Sequence, residues 1–255
     1  MRPPEELRAL VEEHLAALAL TPELHGLQES MRYALEGGGK RIRPVLVLAT
    51  AEAAGGEAEA ALPAGVALEL VHTFSLVHDD LPALDDDDER RGRASTHVAF
   101  GEAVGVLAGD ALLAEALRLA LAYPEPAVAR ELVQATLGMI GGQYLDIKGE
   151  GDPETVNRLK TGCLFSAAIG LGLWVAGMPE RDQAPWRAFG DELGLLFQLV
   201  DDLLDGDGVV ALHGADAARL AADEAAERAQ TRLAAIDADT SVLEDIVASL
   251  AARTA

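Results

Sequence analysis

The sequence predicts an all-α protein, folded as a single domain in which helices pack into a bundle, and three observations support this prediction. Segments rich in alanine and leucine are long enough for helices and carry apolar residues at three- and four-residue spacing. Alternating runs of β-branched residues, which are typical of strands, are missing. Glycine and proline breakers fall between the segments. Core-facing side chains of such a bundle could build a site between helices.

The helical segments follow one another along the whole chain. Near the N-terminus, Leu7, Val11, Leu15 and Leu18 recur at helical spacing between charged residues. The other long alanine- and leucine-rich segments are residues 45–54, 64–77, 103–122, 127–147 and 186–204. Breakers separate the segments at residues 37–39, 55–56, 82, 124–126, 149–153, 177–179 and 206–208. Neither a repeat nor a long linker divides the chain, so residues 1–255 are predicted to form one domain.

The composition argues against several kinds of partner. Acidic residues outnumber basic ones 43 to 20, a net charge of −23, and a field of that sign repels nucleic acid and anionic lipid. The longest apolar run, residues 164–178, is shorter than a membrane span and fits a buried helix. One cysteine, Cys163, allows no internal disulfide, and the residues after Met1 lack the pattern of a secretory signal. We therefore expect a cytoplasmic protein with no nucleic-acid partner and no stable membrane insertion.

The first aspartate cluster follows the apolar segment 64–77. Asp79 and Asp80 fall at the C-terminal end of that predicted helix, where the helix dipole disfavours negative charge by about 0.3–1 kcal/mol. A hard divalent cation such as Mg²⁺, which prefers oxygen ligands, would offset this cost. The sequence therefore predicts that Asp79, Asp80 and Asp85 bind metal, whereas residues 86–88 fit a solvated acidic loop.

The second aspartate cluster ends the segment 186–204. Asp201 and Asp205 are four residues apart, so a helix places them on one face, with Gln198 one turn earlier. An exposed acidic stripe is the alternative, but residues 195–204 surround these carboxylates with apolar side chains, and buried carboxylates need partners. We interpret Asp201 and Asp205 as metal ligands. If the carboxylates of both clusters face one cavity, they would bind a metal–diphosphate cluster between them.

Lysine usage gives an independent indication of a phosphate site. The chain has 17 arginines but only three lysines, Lys40, Lys148 and Lys160, and lysine acts on phosphate as a point charge. Lys40 and Arg43 follow a glycine-rich turn, residues 37–39, whose backbone amides could also hold a phosphate. A flexible loop is the alternative for this turn. Lys160, beside Thr161, is a weaker candidate alone, and Lys148 fits ordinary surface.

Three smaller features complete the candidates. His72 and His78 lie on the helix before the first cluster, and His78 fits a hydrogen-bonded core histidine. Residues 141–143 with Asp146 indicate close helix packing and a polar contact in the cavity. Cys163 fits a small buried residue.

Taken together, these motifs resemble the trans-isoprenyl diphosphate synthase (polyprenyl synthetase) family, and the likeness is greatest to bacterial farnesyl diphosphate synthases. The resemblance covers most of the chain in the family's order, and the ordered set is specific although no single fragment is. Its parts are residues 38–44, Asp79-Asp80 with Asp85, residues 90–92, 100–102, 107–113, 141–143, 160–162, and Phe197-Gln198 with Asp201, Asp202 and Asp205.

The resemblance implies an isoprenoid-synthase bundle around a deep central cavity, as a homodimer, with both aspartate motifs at the cavity mouth. It implies three Mg²⁺ on the diphosphate of an allylic substrate, held by five aspartates: Asp79, Asp80, Asp85, Asp201 and Asp205. The same diphosphate would be contacted by Arg90, Lys160, Thr161 and Gln198. The diphosphate of isopentenyl diphosphate would be held without metal by Lys40, Arg43, His72 and Arg91. The catalytic group would comprise Asp79, Asp80, Asp85, Asp201 and Lys160.

The implied activity is a prenyltransferase that condenses isopentenyl diphosphate with dimethylallyl or geranyl diphosphate. Phe74 lies five residues before Asp79, about one and a half helical turns deeper in the bundle. An aromatic residue there would block a growing chain. With Ser75 beside it and the two-residue insertion Leu81-Pro82, it favours a C15 product, farnesyl diphosphate, over C10 or C20.

One departure from the family opens an alternative. After Asp205 the family has a long loop with glycine–lysine motifs, whereas this chain continues Gly206-Asp207-Gly208 and has no lysine after Lys160. The loop is therefore predicted to be deleted, with Arg219 as a conceivable substitute cation. The alternative function is a weakly active or non-catalytic subunit of a heteromer. A terpene cyclase is disfavoured, because one diphosphate substrate needs no second pocket at Lys40 and Arg43.

Overall fold

The structure, a computed structural model, describes residues 1–206 and 208–254, except for the side chain of Thr254. It is a helical bundle, and the predicted all-α class is confirmed. The α-helices are α1 Pro4–Ala16, α2 Leu27–Glu36, α3 Ile42–Ala53, α4 Ala58–Asp79, α5 Thr96–Phe100, α6 Glu102–Leu121, α7 Pro126–Lys148, α8 Pro153–Asn157, α9 Cys163–Val175, α10 Ala184–Asp205, α11 Gly208–His213, α12 Ala215–Ala234 and α13 Ser241–Ala251. A π-helix, Arg158–Gly162, joins α8 to α9. Short 3₁₀ turns lie at Pro22–Leu24, Glu180–Asp182 and Ala252–Thr254.

The centre of the bundle is built on α4 and α9. Helix α4 packs against α3, α6 and α9, and α10 packs against α9 and α12. Both central helices are mostly apolar and most of their residues are buried, which is the pattern of a helix enclosed by others. The run at residues 164–178, predicted to form a buried helix, corresponds to α9, Cys163–Val175, in which Phe165 and Ile169 have no exposed surface. The helix ends three residues before the predicted boundary, and residues 174–178 are not fully buried.

One helix among the described residues, Ala58–Asp79, is long and apolar enough to cross a membrane. Within the bundle, 72% of its most apolar window is buried. Its composition therefore fits the core helix of a folded domain.

The start of α4 corrects the predicted boundary. The helix begins at Ala58, six residues before the predicted residue 64, and includes Pro63. A proline inside a helix removes one backbone hydrogen bond and crowds the preceding turn. Here the Tyr123 hydroxyl enters the helix ladder, donating to Ala60 O at 2.6 Å and accepting from Ala64 N at 3.1 Å. A tertiary contact thus allows the helix to continue past the proline.

A small hairpin follows α4 and was not predicted. Strands β1, Glu89–Arg90, and β2, Arg93–Ala94, pair antiparallel through a two-residue turn. Arg91 and Gly92 in that turn both have positive φ, 56° and 75°, as the common type I′ hairpin turn requires. The hairpin holds Arg90 and Arg91 in place beside α4.

Candidate active site

A cavity of about 370 Å³ opens between α4, α7 and the segment leading into α9. Its apolar wall includes Phe74, Leu76, Leu84, Met139, Ile140, Tyr144, Ile147 and Leu164. Its polar lining consists of Arg43, His72, Ser75, His78, Asp79, Gln143, Lys160 and Thr161. The volume falls in the usual range for small-molecule sites, and the mostly apolar wall with a few polar groups is typical of them.

Phe74 and Ser75 line this cavity from α4. Phe74 is 6% exposed, and its ring meets the His78 ring edge-on at 5.7 Å. The Ser75 hydroxyl donates to His72 O within its own helix. The His78 ring nitrogen lies 3.0 Å from Val106 O, and the ring packs over Gly109 of α6. His78 is thus hydrogen-bonded, but its side chain is 26% exposed and lines the cavity, so it is not the core residue that the sequence predicted.

Asp79 is the last residue of α4 and faces the cavity. The pKa of its carboxyl is raised to about 6, chiefly by burial; the charge of Lys160 opposes this shift and that of Asp85 adds to it. Asp85 is exposed, and its backbone N–H donates to Asp79 O at 2.9 Å. A half-buried carboxylate beside other carboxylates favours a bound cation.

Asp80 points away from this cavity. Its carboxylate is 2% exposed and accepts from Arg90 Nε at 2.7 Å and Arg90 Nη2 at 2.5 Å. Both residues line a second, small cavity of about 40 Å³ beside the hairpin. The predicted roles of Asp80 on metal and Arg90 on diphosphate therefore require this ion pair to open.

The second aspartate motif lies on the last two turns of α10. Burial raises the pKa of Asp201 to about 6, with Arg43 opposing and Asp205 adding to the shift. Asp205 is exposed. Between them, Asp202 is buried and accepts hydrogen bonds from Gln198 Nε2 at 2.6 Å and from Val209 N at 2.9 Å.

The donor set of the two motifs suits Mg²⁺, since every candidate ligand is a carboxylate oxygen. Within residues 1–206 and 208–254, however, no three acidic, histidine or cysteine side chains converge closely enough to hold an ion by themselves. Mg²⁺ keeps several waters and is commonly bound through one or two carboxylates plus substrate phosphates. The raised pKa values of Asp79 and Asp201 indicate the same need for a positive charge at the site.

Positive charge at the cavity comes from Arg43 and Lys160. Arg43 is 8% exposed, its guanidinium lies 4.7 Å from the Phe165 ring centre, and its Nε has no hydrogen-bond partner among the described residues. Burial lowers the pKa of Arg43. The Lys160 ammonium lies 2.6 Å from Asp146 Oδ2. Gln143, next to it, turns a buried and unpartnered Oε1 to the same region.

The glycine-rich turn and the hairpin meet beside α4. Arg91 donates from Nη1 to Gly38 O, and a Cβ on Gly39 would come within 2.8 Å of Arg91 Nη1. Lys40 in this turn is exposed. His72 faces both cavities, and the pKa of its imidazole is held well below the usual value by burial and then by Arg43 and Arg91.

Sequence reasoning missed two structural residues within these motifs. Arg41 has a left-handed backbone, φ 49°, and its buried guanidinium pairs with Glu69 at 2.7 Å and Glu12 at 3.0 Å. It fixes the start of α3 and so the position of Arg43. Asp202 fixes the connection between α10 and α11. No sequence signal identified these roles, since both residues sit inside runs of like residues.

The fold and the site define a class: a helical-bundle protein whose mostly apolar cavity is lined by the carboxylate Asp79 and by the cations Arg43 and Lys160, as suits a diphosphate with an apolar tail. Among the described residues, the carboxylates of the second motif on α10 are not part of the lining of this cavity, so the predicted pair of facing carboxylate clusters is not seen in it. The chain belongs to the polyprenyl synthetase family, because the model of that family matches residues 25–217. The predicted resemblance is confirmed.

Similar proteins carry the names of prenyl diphosphate synthases. The chain is 43% identical over 195 residues to geranylgeranyl diphosphate synthase of Cyanophora paradoxa, covering 70% of this chain and 65% of that protein. It is 41% identical over 198 residues to farnesyl diphosphate synthase of Bacillus subtilis (strain 168), covering 71% and 67%. The apo crystal structure of an FPP/GFPP synthase from Zymomonas mobilis matches with a TM-score of 0.86 and 35% identity, over 97% of both chains. The chain thus spans about two thirds of the length of these two curated relatives.

Proposed function

We propose that the protein is a short-chain trans-prenyltransferase that condenses isopentenyl diphosphate with dimethylallyl or geranyl diphosphate, giving farnesyl diphosphate. The observation that carries this proposal is the placement of Asp79, Arg43, Lys160 and Phe74 around one apolar cavity. Asp79, Arg43 and Lys160 would bind a diphosphate and its metal at the mouth of the cavity. Phe74 would set the depth available to the hydrocarbon tail.

The chemistry follows from the charges. When bound, Mg²⁺ neutralises diphosphate charge and so makes it a better leaving group. Asp79, Asp80, Asp85, Asp201 and Asp205 are the residues that would hold it, and three ions are proposed from the family resemblance. Lys160, Thr161, Gln198 and a released Arg90 would bind the allylic diphosphate, and Lys40, Arg43, His72 and Arg91 the second one.

The reaction itself would take place against the apolar wall. The allylic C–O bond breaks, both electrons leave with the diphosphate, and the resulting allylic cation stays in the cavity, from which apolar side chains exclude water. The double bond of isopentenyl diphosphate attacks C1 of this cation, forming the new C–C bond. A proton then leaves the adduct for the departed diphosphate, which restores a double bond.

A homodimer is part of the proposal. Helices α6 and α7 expose the large apolar side chains Val106, Leu107, Val133 and Leu137, in addition to the exposed residues Ile140, Tyr144 and Ile147 that line the cavity. In a chain of net charge −23, two copies could associate only through a face that carries little negative charge. A cytoplasmic location is likewise proposed, since a single cysteine, Cys163, fits a reducing compartment.

The proposed loop deletion is supported by the geometry after α10. Gly206 is left-handed and α11 begins at Gly208, so few residues separate the two helices. Asp207, which follows Gly206 in the sequence, lies outside the described residues. The short connection also supports the second candidate, a weakly active or non-catalytic subunit of a heteromer, because the chain has no lysine after Lys160 to replace a lost diphosphate contact.

Turnover of labelled isopentenyl diphosphate with dimethylallyl or geranyl diphosphate tests the proposal. The expected result is a Mg²⁺-dependent C15 product that disappears with a chelator. A C10 or C20 product would change the assigned length only. Absence of product, with retained Mg²⁺-dependent binding of inorganic pyrophosphate, would favour the non-catalytic subunit.

A further inference from the structure

Lys160 lies on an unusual piece of backbone that is fixed from two sides. The π-helix Arg158–Gly162 is wedged between two glycines of neighbouring helices. A Cβ on Gly142 of α7 would overlap the backbone nitrogen of Lys160, and a Cβ on Gly194 of α10 would lie 3.1 Å from Gly162 Cα. π-Helical turns are rare and occur frequently at functional sites. The two close approaches fix the backbone of Lys160 but leave its long side chain to be fixed by other contacts.

Asp146 supplies that contact. It lies four residues after Gly142 on α7, hence on the same helical face, and its Oδ2 is 2.6 Å from Lys160 Nζ. The side chains are 32% and 49% exposed for Lys160 and Asp146 respectively. An ion pair this exposed contributes little to stability. Its geometric effect is larger, because a lysine side chain otherwise samples many rotamers.

We propose that Asp146 is a positioning residue that holds the Lys160 ammonium toward the diphosphate at the mouth of the cavity. This inference rests on the proposed function. An ammonium has three donors; Asp146 accepts one, which leaves two for other acceptors. Lys160 is also the cation that opposes the raised pKa of Asp79, so it lies close enough to the first aspartate motif to act beside it.

The charge of Asp146 has an opposing effect, since a carboxylate repels a diphosphate. Asp146 is half exposed, and solvent screens such a charge. The two effects predict opposite results when the charge is removed: loss of positioning weakens diphosphate binding, whereas loss of repulsion strengthens it. Asp146→Asn separates them, because it keeps the size of the side chain.

The pairing can first be tested without any activity. Since the chain has only three lysines, acetylation by acetic anhydride can be followed at each one by peptide mass spectrometry. In Asp146→Asn, Lys160 should react at least 3-fold faster relative to Lys40, while Glu150→Gln, which removes an exposed carboxylate just after α7, should leave the ratio unchanged. An unchanged ratio in Asp146→Asn would show that the ion pair does not hold Lys160, and would overturn the proposal.

The functional consequence is tested by a double-mutant cycle on binding of inorganic pyrophosphate with Mg²⁺, measured by calorimetry. Asp146→Asn should weaken pyrophosphate binding 5- to 20-fold, and Asp146→Glu should lose less affinity than Asp146→Asn. In a Lys160→Ala background, Asp146→Asn should weaken binding by less than a further 2-fold. If the wild-type protein catalyses the condensation, Asp146→Asn should raise KM for the allylic diphosphate, while KM for isopentenyl diphosphate should stay within 2-fold of the wild-type value.

Each other outcome is informative. Tighter pyrophosphate binding in Asp146→Asn, additive losses in the double variant, or no pyrophosphate binding by the wild type would overturn the proposal. If the wild type binds pyrophosphate and the double-mutant cycle shows the expected coupling, but no product forms, the proposed enzymatic function is wrong and the positioning role of Asp146 still holds.

Discussion

Gln198 donates from Nε2 to Asp202 Oδ1 across 2.6 Å, and the other carboxylate oxygen of Asp202 accepts the backbone N–H of Val209 at 2.9 Å. Asp202 thereby ties the penultimate turn of α10 to the start of α11. The turn also depends on Gly208, since a Cβ there would overlap the Asp202 carboxylate. The middle residue of the second aspartate motif therefore acts as a structural connection.

We predict that Asp202→Ala destabilises the protein by about 1–3 kcal/mol, because it leaves buried donors without an acceptor. Urea unfolding in Mg²⁺-free buffer measures this loss. Asp205→Ala is the matched control: its side chain is exposed, and a change within about 0.5 kcal/mol is expected. Equal unfolding midpoints for the two variants would contradict a connecting role for Asp202.

Removing a metal-facing carboxylate should abolish Mg²⁺-dependent turnover. For Asp79→Asn or Asp201→Asn we expect kcat to fall about 100-fold or more, a loss comparable to that of one electrostatic contact in other active sites. Steady-state rates at several Mg²⁺ concentrations test this. Asp88→Asn, in the exposed part of the first cluster, should keep wild-type rates. Unaffected rates in the first two variants would defeat the metal-binding interpretation.

Opening the cavity wall should lengthen the product. Phe74→Ala removes the ring that faces the cavity, and chromatography of the products should show chains longer than those of the wild type. The same change should cost about 3–5 kcal/mol of stability, as large-to-small substitutions in cores do, so products are compared at a temperature where the variant is folded. Phe100→Ala, which removes a ring that meets Tyr33 edge-on outside the cavity, should leave product length unchanged. An identical product distribution in Phe74→Ala would exclude Phe74 from control of length.

The Tyr123 hydroxyl should matter for stability far from the site. Tyr123→Phe leaves the gap in the α4 ladder near Pro63 unfilled and should destabilise the protein by about 1–3 kcal/mol, measured by thermal or urea unfolding. Tyr144→Phe is the control, because its side chain is 55% exposed. If both variants unfold like the wild type, the hydroxyl does not support the helix at Pro63.

Cys163 should be inert to alkylation near neutral pH. Burial raises the pKa of its thiol to about 11, and its Sγ donates to Leu159 O at 2.7 Å. Since the thiolate is the nucleophile, iodoacetamide labelling at pH 8 should be at least about 100-fold slower than in urea-unfolded protein, and should rise with pH up to about 11. The pKa of this thiol in the folded protein exceeds the ordinary value of 9.0. The thiol therefore stabilises the fold below pH 9 relative to higher pH, and this contribution is lost as pH rises through 11. Fast labelling at pH 8 would contradict the buried, protonated thiol.

Much of the architecture could be predicted because helical periodicity is a local property. The predicted segments at residues 103–122 and 127–147 match α6 and α7 to within one residue at each end. The predicted start of α4 was wrong for a tertiary reason. Tyr123, whose hydroxyl allows the helix to continue through Pro63, is 60 positions away from it in the sequence. The hairpin at Arg91-Gly92 left a local signal, a glycine in a short turn, but its strands are too short to show alternation.

The sequence alone determined that the chain is helical, which carboxylates and cations could form a site, and their order along the chain, because each of these depends on residue type and local spacing. Only the tertiary structure decided what each of them contacts. Asp79 and Asp80 are neighbours in the sequence, but successive residues in a helix point about 100° apart, so Asp79 faces the large cavity and Asp80 pairs with Arg90. Likewise Asp202 bonds to Gln198 and Val209, and Lys160 to Asp146. These pairings depend on how helices pack against one another, which no local pattern encodes.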